Sequence, residues 1–302
     1  MADEVRRRSI RILMDLQACQ TSGSGSRGVG RYAKALFSNI AMERGQRDLF
    51  ALVASHLPVP VDPGAVDKSR VLRFTTPSAW GSPRDYLGGE EDTLDGLALS
   101  AFVAPLKPDI LHVAHVFEGF GERVALPSYK QRPAGQLISA TLYDLIPLLY
   151  QDHYFQDDGF RKWYFSRLSW LRQADLLLAI SESSRQDAIN LLGIEPWRIV
   201  TIHGGISPHF RPAADLEGLR RDLAQRYGLR ERFVLYPGGD DHRKNIRGAI
   251  AGYAAVPPEV RKNCQLVIVC SMDDHRRKMY LNVARQAGLD SKDVLITGFI
   301  SE

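Results

Sequence analysis

The stretch FVLYPGGDDHRKNI, residues 233–246, runs from an apolar segment through two glycines into a cationic segment. Its first four residues are apolar or aromatic and Pro237 follows them, which is typical of a buried strand. Apolar residues then return with helical spacing at Ile246, Ile250 and Tyr253. The stretch therefore predicts a strand, a glycine loop and a helix, the unit in which α/β sheets bind phosphates.

The same alternation of short apolar runs and amphipathic segments fills the rest of the chain. Strands are predicted at residues 10–16, 49–54, 71–74, 109–113, 136–143, 175–180, 198–202, 233–239, 264–270 and 294–298. Because helices separate these strands, parallel sheets covered on both faces are expected. The Gly- and Pro-rich segment HGGISPHFRPAAD (203–215) predicts a domain boundary. We expect two Rossmann-like domains, 1–212 and 213–302, the second incomplete because three strands are about half of a doubly wound sheet.

Composition narrows the class of protein. A net charge of +4 on 302 residues suits an anionic small ligand and is too small to indicate nucleic acid. The three cysteines (Cys19, Cys264 and Cys270) lack metal-site spacing, which favours a reduced, cytoplasmic protein. No apolar run has the length of a membrane span. The basic cluster Arg6–Arg8 is interpreted as a solvated tail, with an anionic membrane face as the alternative partner.

A second glycine segment, GSGSRGVGRY at residues 23–32, follows the first predicted strand. Its first six residues match the dinucleotide pattern G-x-G-x-x-G, but the second strand is followed by Ser55-His56-Leu57 rather than the acid that binds a ribose. We therefore reject dinucleotide binding. Gly28 and Gly30 then have two possible roles. They could let an anion approach the backbone at a helix start, or they could serve only as flexible residues there.

Arg243 and Lys244 lie at or near the start of the predicted helix in the opening stretch. Cations there oppose the helix dipole, and a bound phosphate would offset that penalty. The alternative is that Asp240 or Asp241 caps the helix and leaves both cations in solvent.

Taken in order, these motifs resemble those of family 4 retaining glycosyltransferases, which have the GT-B fold of two Rossmann-like domains. LYPGGDDHRKN (235–245) resembles their diphosphate-binding segment, RGVGRYAKAL (27–36) their N-terminal glycine loop, and LYDLIPLLY (142–150) their HDLIP strand-end motif. The segment 179–212 resembles the one before the interdomain linker. The YDLIP and GGDDHRKN forms are similar to those of mannosyl- and related transferases of bacterial surface polysaccharides.

The resemblance implies roles for particular residues. Four would bind the donor diphosphate: Gly238, Gly239, Arg243 and Lys244. Three would face the same phosphates or the acceptor: Gly28, Gly30 and Arg31. Tyr143, where many members have His, and Asp144 would lie in the acceptor or sugar pocket. Asp144 is the catalytic candidate, as acid/base or hydroxyl-orienting group, with a turn cap beside Pro147 as its alternative role. Gly239 stands where many members have Arg or Asn.

The implied reaction is metal-independent, retaining transfer of a sugar, mannose by resemblance, from a nucleotide-sugar to a glycan or lipid-linked acceptor in surface polysaccharide synthesis. The nucleotide-sugar is a substrate and no cofactor is expected; peripheral contact with the inner membrane face is an accompanying expectation. No D-x-D motif indicates a metal. His112, in an apolar strand near His115 and Glu118, is interpreted as a core histidine rather than a metal ligand.

One family feature is missing from the sequence. The Glu–seven residues–Glu motif that holds the donor sugar would lie after residue 302. We therefore expect a truncated chain with little or no transferase activity. The alternative function is a catalytically dead, truncated paralogue that acts as a binding or interaction subunit.

Overall fold

The computed structural model describes residues 9–25, 27–44, 48–62, 67–76, 94–207 and 210–300. The chain divides into two compact units, Met1–Gly205 and Ile206–Glu302. The sequence places its boundary after Pro212, within the same linker. The basic cluster Arg6–Arg8 lies outside the described residues.

The first unit contains a seven-stranded parallel sheet with the strand order β3-β2-β1-β4-β5-β6-β7. Its strands are β1 (Ile12–Asp15), β2 (Leu49–Ala54), β3 (Val71–Phe74), β4 (Ile110–Val113), β5 (Leu137–Leu142), β6 (Leu176–Ala179) and β7 (Ile199–Thr201). The order reverses between β1 and β4, which are hydrogen-bonded neighbours with Ile12 opposite Ile110. Ligands of open α/β sheets bind beyond the carboxyl ends of the strands at such a reversal.

Helices cover both faces of this sheet. They are α1 (Gly28–Arg44), α2 (Leu94–Val103), α3 (Ile146–Leu149), α4 (Gln151–Tyr154), α5 (Asp158–Arg172) and α6 (Glu182–Leu192). Successive residues of β1 enter different cores, because side chains alternate along a strand. Met14 packs in the cluster that contains Phe37 of α1, whereas Leu13 packs in the cluster that contains Leu99 of α2. Both β1 residues are 1% exposed, so apolar burial on two faces stabilises this strand.

The second unit is built around a three-stranded parallel sheet with the order β10-β9-β8. Its elements are α7 (Leu216–Tyr227), β8 (Arg232–Pro237), α8 (Ile246–Ala254), α9 (Pro258–Arg261), β9 (Cys264–Val269), α10 (Asp274–Gln286) and β10 (Val294–Ile296). This order repeats one half of a doubly wound sheet. Together the two parallel sheets confirm the α/β class and the two Rossmann-like units.

Two features of the second unit were not expected from the sequence. Helix α7 fills the segment before β8, with Asp215 accepting a hydrogen bond from the Gly218 N–H and Gly228 ending the helix at a φ of 70°. Strand β8 lies at the edge of its sheet, where Val234 and Leu235 are each 52% exposed. Among the described residues, no helix combines the length and the hydropathy that a membrane span requires.

Candidate functional site

The glycine segment of the first unit lies between the carboxyl end of β1 and helix α1. Gly28 begins α1 and is exposed, Gly30 is buried in its first turn, and Arg31 beside it is exposed. The Ser24 carbonyl accepts hydrogen bonds from the Arg27 N–H at 2.9 Å and the Gly30 N–H at 3.2 Å. The start of α1 is therefore attached to the loop before it.

Two carboxylates from the segment after β4 hold this loop. Glu118, which is 7% exposed, accepts a hydrogen bond from the Thr21 hydroxyl at 3.0 Å and another from the Ser24 hydroxyl. Both carboxylate oxygens of Glu122 accept from the Ser22 N–H, at 3.1 and 3.0 Å. Burial raises the pKa of Glu118, and the hydroxyls of Ser24 and Thr21 oppose that rise.

The structure brings Tyr143 to the same loop. Its hydroxyl donates to the Val29 carbonyl at 3.1 Å, and its ring meets those of Tyr32 and His115 edge-on, with centroid separations of 5.5 and 4.8 Å. Burial raises the pKa of Tyr143 well above its ordinary value. A phenol that is 8% exposed and hydrogen-bonded in this way supports the start of α1.

Asp144, the catalytic candidate, is half-buried at the end of β5. Its Oδ1 accepts a hydrogen bond from the Ile146 N–H at 3.2 Å, next to Pro147. This is the turn-capping role that the sequence left open. Its charge also contributes to the raised pKa of Tyr164, whose main cause is burial. A role of Asp144 in acid/base chemistry stays a prediction.

Sequence reasoning gave no role in this site to Glu122 or Asp15, and weighed His115 and Glu118 only as metal ligands. Asp15 ends β1 and is 3% exposed; burial raises its pKa to about 7, opposed by hydrogen bonds from Gln17. His115 Nε2 lies 3.8 Å from Glu118 Oε1, and burial, with a smaller contribution from Arg167, lowers the pKa of this histidine to about 3. The signal that could have revealed the two glutamates is EGFGE (118–122), whose glycines make a tight turn.

His112 is a core histidine, as the sequence indicated. Its Nδ1 lies 2.8 Å from the Ser139 hydroxyl and its Nε2 lies 3.0 Å from the Thr141 hydroxyl. Both ring nitrogens are thus engaged on the neighbouring strand β5. In the part of the chain that the structure describes, no group of three His, Cys, Asp or Glu residues could hold a metal ion.

In the second unit, Arg243 and Lys244 lie in a 3-10 turn, His242–Lys244, that precedes α8. Asp241 caps this turn by accepting from the Arg243 N–H at 3.0 Å, and its Oδ1 also lies 3.3 Å from the Arg243 Nε. Helix α8 itself is capped by Asn245, which has a φ of 50° and accepts from the Gly248 N–H at 3.0 Å. The idea that Asp240 or Asp241 caps this helix is therefore wrong, since Asn245 occupies the cap position.

The two glycines before this turn differ in their surroundings. The Gly238 N–H donates to the Val269 carbonyl at 3.1 Å, and the space where a Gly239 side chain would project is open. Asp240 accepts a hydrogen bond from the Tyr280 hydroxyl at 2.6 Å, and its other oxygen lies 3.1 Å from the Arg276 Nε. The loop is thereby anchored to α10, and Arg276 adds a cation that the sequence argument did not include.

The comparisons with known proteins agree with this architecture. A model of Glycosyltransferase Family 4 matches residues 26–210. The serotype-specific mannosyltransferase WbdA of Escherichia coli is 26% identical over 304 aligned positions, which cover 96% of this chain and 35% of that protein. The chain thus spans about a third of the length of this relative.

Two solved structures share the fold. WaaG, described as a glycosyltransferase involved in lipopolysaccharide biosynthesis, superposes with a TM-score of 0.60 at 16% identity, covering 96% of this chain and 70% of that one. HepE from Anabaena, solved in complex with UDP, superposes with a TM-score of 0.57 at 18% identity, covering 97% and 70%. These likenesses confirm the GT-B-like fold class. Because the family model also covers more than half of the sequence, the chain belongs to glycosyltransferase family 4.

Proposed function

We propose that the chain carries out, or forms part of a protein that carries out, metal-independent and retaining transfer of mannose from a nucleotide-sugar to a glycan or lipid-linked acceptor of a bacterial surface polysaccharide. Family membership over residues 26–210 supports glycosyl transfer. The relative WbdA, a mannosyltransferase, supports mannose as the sugar. The UDP bound in HepE supports a nucleotide-sugar donor.

The observation that carries this proposal is the cationic turn His242–Lys244 at the carboxyl end of β8. Both Arg243 and Lys244 are exposed there, and Asp241 and Asn245 fix the backbone on either side of them. When a sugar–phosphate bond breaks, negative charge builds on the departing nucleoside diphosphate. Cations already in place stabilise that charge without reorganisation, which is the role we assign to these two side chains.

We assign the acceptor side to the first unit. Tyr143 and Asp144 follow β5, and Gly28, Gly30 and Arg31 begin α1, beyond the carboxyl edge of the sheet where α/β proteins bind ligands. Asp144 remains the candidate for orienting a sugar hydroxyl, because it carries a hydrogen-bond-accepting carboxylate and lies half-buried just after the carboxyl end of β5. Peripheral contact with the cytoplasmic face of the inner membrane belongs to the same proposal.

Donor binding is tested by isothermal titration of the purified chain with GDP, UDP and GDP-mannose. Substituting Arg243→Ala or Lys244→Ala should each weaken nucleotide binding about tenfold or more, because each removes a charge-assisted contact. Arg285→Ala is the matched control, since this arginine lies in the last turn of α10, where its guanidinium donates to Asn282 Oδ1 at 3.3 Å. Equal affinity in all three variants would show that the diphosphate binds elsewhere.

Turnover is measured separately, by incubating the chain with GDP-mannose and a mannan acceptor and assigning the product's anomeric configuration by NMR. Product with the donor's configuration supports retaining transfer, and the inverted anomer contradicts it. Nucleotide binding without turnover would favour the interaction-subunit alternative for this chain.

A further inference from the structure

The segment EGFGE (118–122) places two carboxylates against the glycine loop of the first unit. We propose that Glu118 is a positioning residue for this loop: acting through Ser24, it fixes the first turn of α1 for substrate. The inference rests on the proposed function only in its last step, that the start of α1 meets substrate.

The first step is the contact between Glu118 and the loop. Its two carboxylate oxygens divide between two hydroxyls, with Oε2 accepting from Thr21 at 3.0 Å and Oε1 accepting from Ser24. These partners lie 97 and 94 residues away in sequence. Hydrogen bonds to an ionised carboxylate are stronger than those between neutral groups. The loop conformation therefore depends on a side chain from a distant segment.

The second step leads from Ser24 to the helix. The Ser24 hydroxyl donates to Glu118 while its carbonyl accepts from the N–H groups of Arg27 and Gly30. The carbonyl thus binds the amide of a residue inside the first turn of α1. Any displacement of Ser24 moves its carbonyl oxygen, which accepts the hydrogen bond of the Gly30 N–H. The backbone N–H groups of the first turn would then point in a different direction.

Gly119 allows one short segment to supply both acids. Gly119 has a φ of 98°, which an L side chain rarely adopts, and a Cβ there would lie 2.6 Å from the Glu122 carbonyl oxygen. Only glycine allows the chain to fold back so that Glu122 reaches the Ser22 N–H while Glu118 reaches Ser24. Glu122 fixes Ser22, and Glu118 fixes Thr21 and Ser24 on either side of it.

Burial separates this arrangement from an ordinary surface contact. A carboxylate that is 7% exposed is unfavourable unless hydrogen bonds satisfy it. The two hydroxyls of the loop supply these bonds, one to each carboxylate oxygen, and the bond from the partly buried Ser24 is the one that either substitution removes. The pair Glu118–Ser24 should therefore act as one unit, with non-additive effects of substitution.

The test compares Glu118→Gln, Ser24→Ala and the double variant with the wild-type chain by amide hydrogen exchange. We expect the amides of Arg27 and Gly30 to exchange about tenfold faster in each single variant than in the wild-type chain. The double variant should exchange no faster than either single variant. The melting temperature and exchange in β5 should stay unchanged. Glu195→Gln is the control, because this exposed acid pairs with Arg198 before β7 and should leave the loop amides unaffected.

Unchanged exchange at Arg27 and Gly30 overturns the proposal, as does uniform acceleration across the unit with a lower melting temperature. If Glu118→Gln does not fold, Ser24→Ala, which changes a partly buried hydroxyl, gives the same readout alone. In a chain that turns over GDP-mannose, both single variants should lower kcat/KM about tenfold with an unchanged melting temperature. If Arg243→Ala left nucleotide affinity unchanged, the proposed donor site would be refuted. The hydrogen-exchange result on Glu118 and Ser24 would be unaffected.

Discussion

Two glycines in the first turn of α1 differ in the space that surrounds them. A Cβ on Gly28 would meet nothing within 4 Å, whereas a Cβ on Gly30 would lie 2.4 Å from the Ser24 carbonyl oxygen and 2.8 Å from the Gly25 carbonyl oxygen. Both neighbours of Gly30 are backbone atoms, so they can yield only if the loop moves. The same substitution should therefore have opposite effects at the two positions.

We expect Gly30→Ala to lower the free energy of unfolding by about 2 kcal/mol, in the range for forced overpacking, although alanine favours a helix by about 1 kcal/mol. Gly28→Ala should be neutral or stabilising by up to about 1 kcal/mol. For a unit of this size, about 2 kcal/mol corresponds to a melting temperature lower by about 4–8 °C.

Urea unfolding and calorimetry of the two variants measure this difference, with amide exchange in β4 and β5 assigning it to the first unit. A drop for Gly30→Ala with no drop for Gly28→Ala supports the reasoning. Equal stability of the two variants would refute it, because the close approach of Ser24 to Gly30 would then impose no constraint.

The remaining predictions concern a buried acid and a helix cap. The pKa of Asp15 is about 7 when folded against 3.8 for a free side chain, so the folded state holds its proton more tightly and stability falls as pH rises from about 4 to about 7. Asp15→Asn should remove that pH dependence. In the wild-type chain the free energy of unfolding from urea titrations should differ by on the order of a few kcal/mol between pH 4.5 and pH 8. The same pH dependence in the variant and the wild-type chain would contradict the prediction. Asn245→Ala should destabilise the second unit by about 2 kcal/mol, since it loses the cap and places alanine at a φ of 50°. Asn245→Gly, which tolerates that φ, should lose only a few tenths of a kcal/mol in thermal unfolding, and equal losses would argue against a strained cap.

Much of the fold followed from apolar periodicity alone. The predicted strand 49–54 coincides with β2, and the predicted strand 71–74 coincides with β3, because both are short apolar runs bounded by polar residues. Helix α7 was missed although Asp215, the leucines at 216, 219 and 223, and Gly228 mark its start, face and end. Its position directly after a Gly- and Pro-rich linker concealed a pattern that is weak in hydropathy but clear in its caps.

The site was less accessible to sequence reasoning. Glycine loops and cationic turns are local in sequence, so RGVGRY and HRKN could be found by pattern. The contact of Glu118 with Ser24 spans 94 residues and exists only because β1 and β4 are neighbours in the sheet. Likewise, the anchoring of Asp240 by Tyr280 and Arg276 depends on where α10 packs.

The Glu118–Ser24 contact also limits how this protein can be recombined with its relatives. A chimera that exchanges residues 21–30 alone would replace the groups that donate hydrogen bonds to Glu118 and Glu122, namely those of Thr21, Ser22 and Ser24. Exchanging 118–122 in the same step would keep donor and acceptor groups matched. Across homologous sequences, residues 21–30 and 118–122 should accordingly co-vary, although about 90 positions separate them in the chain.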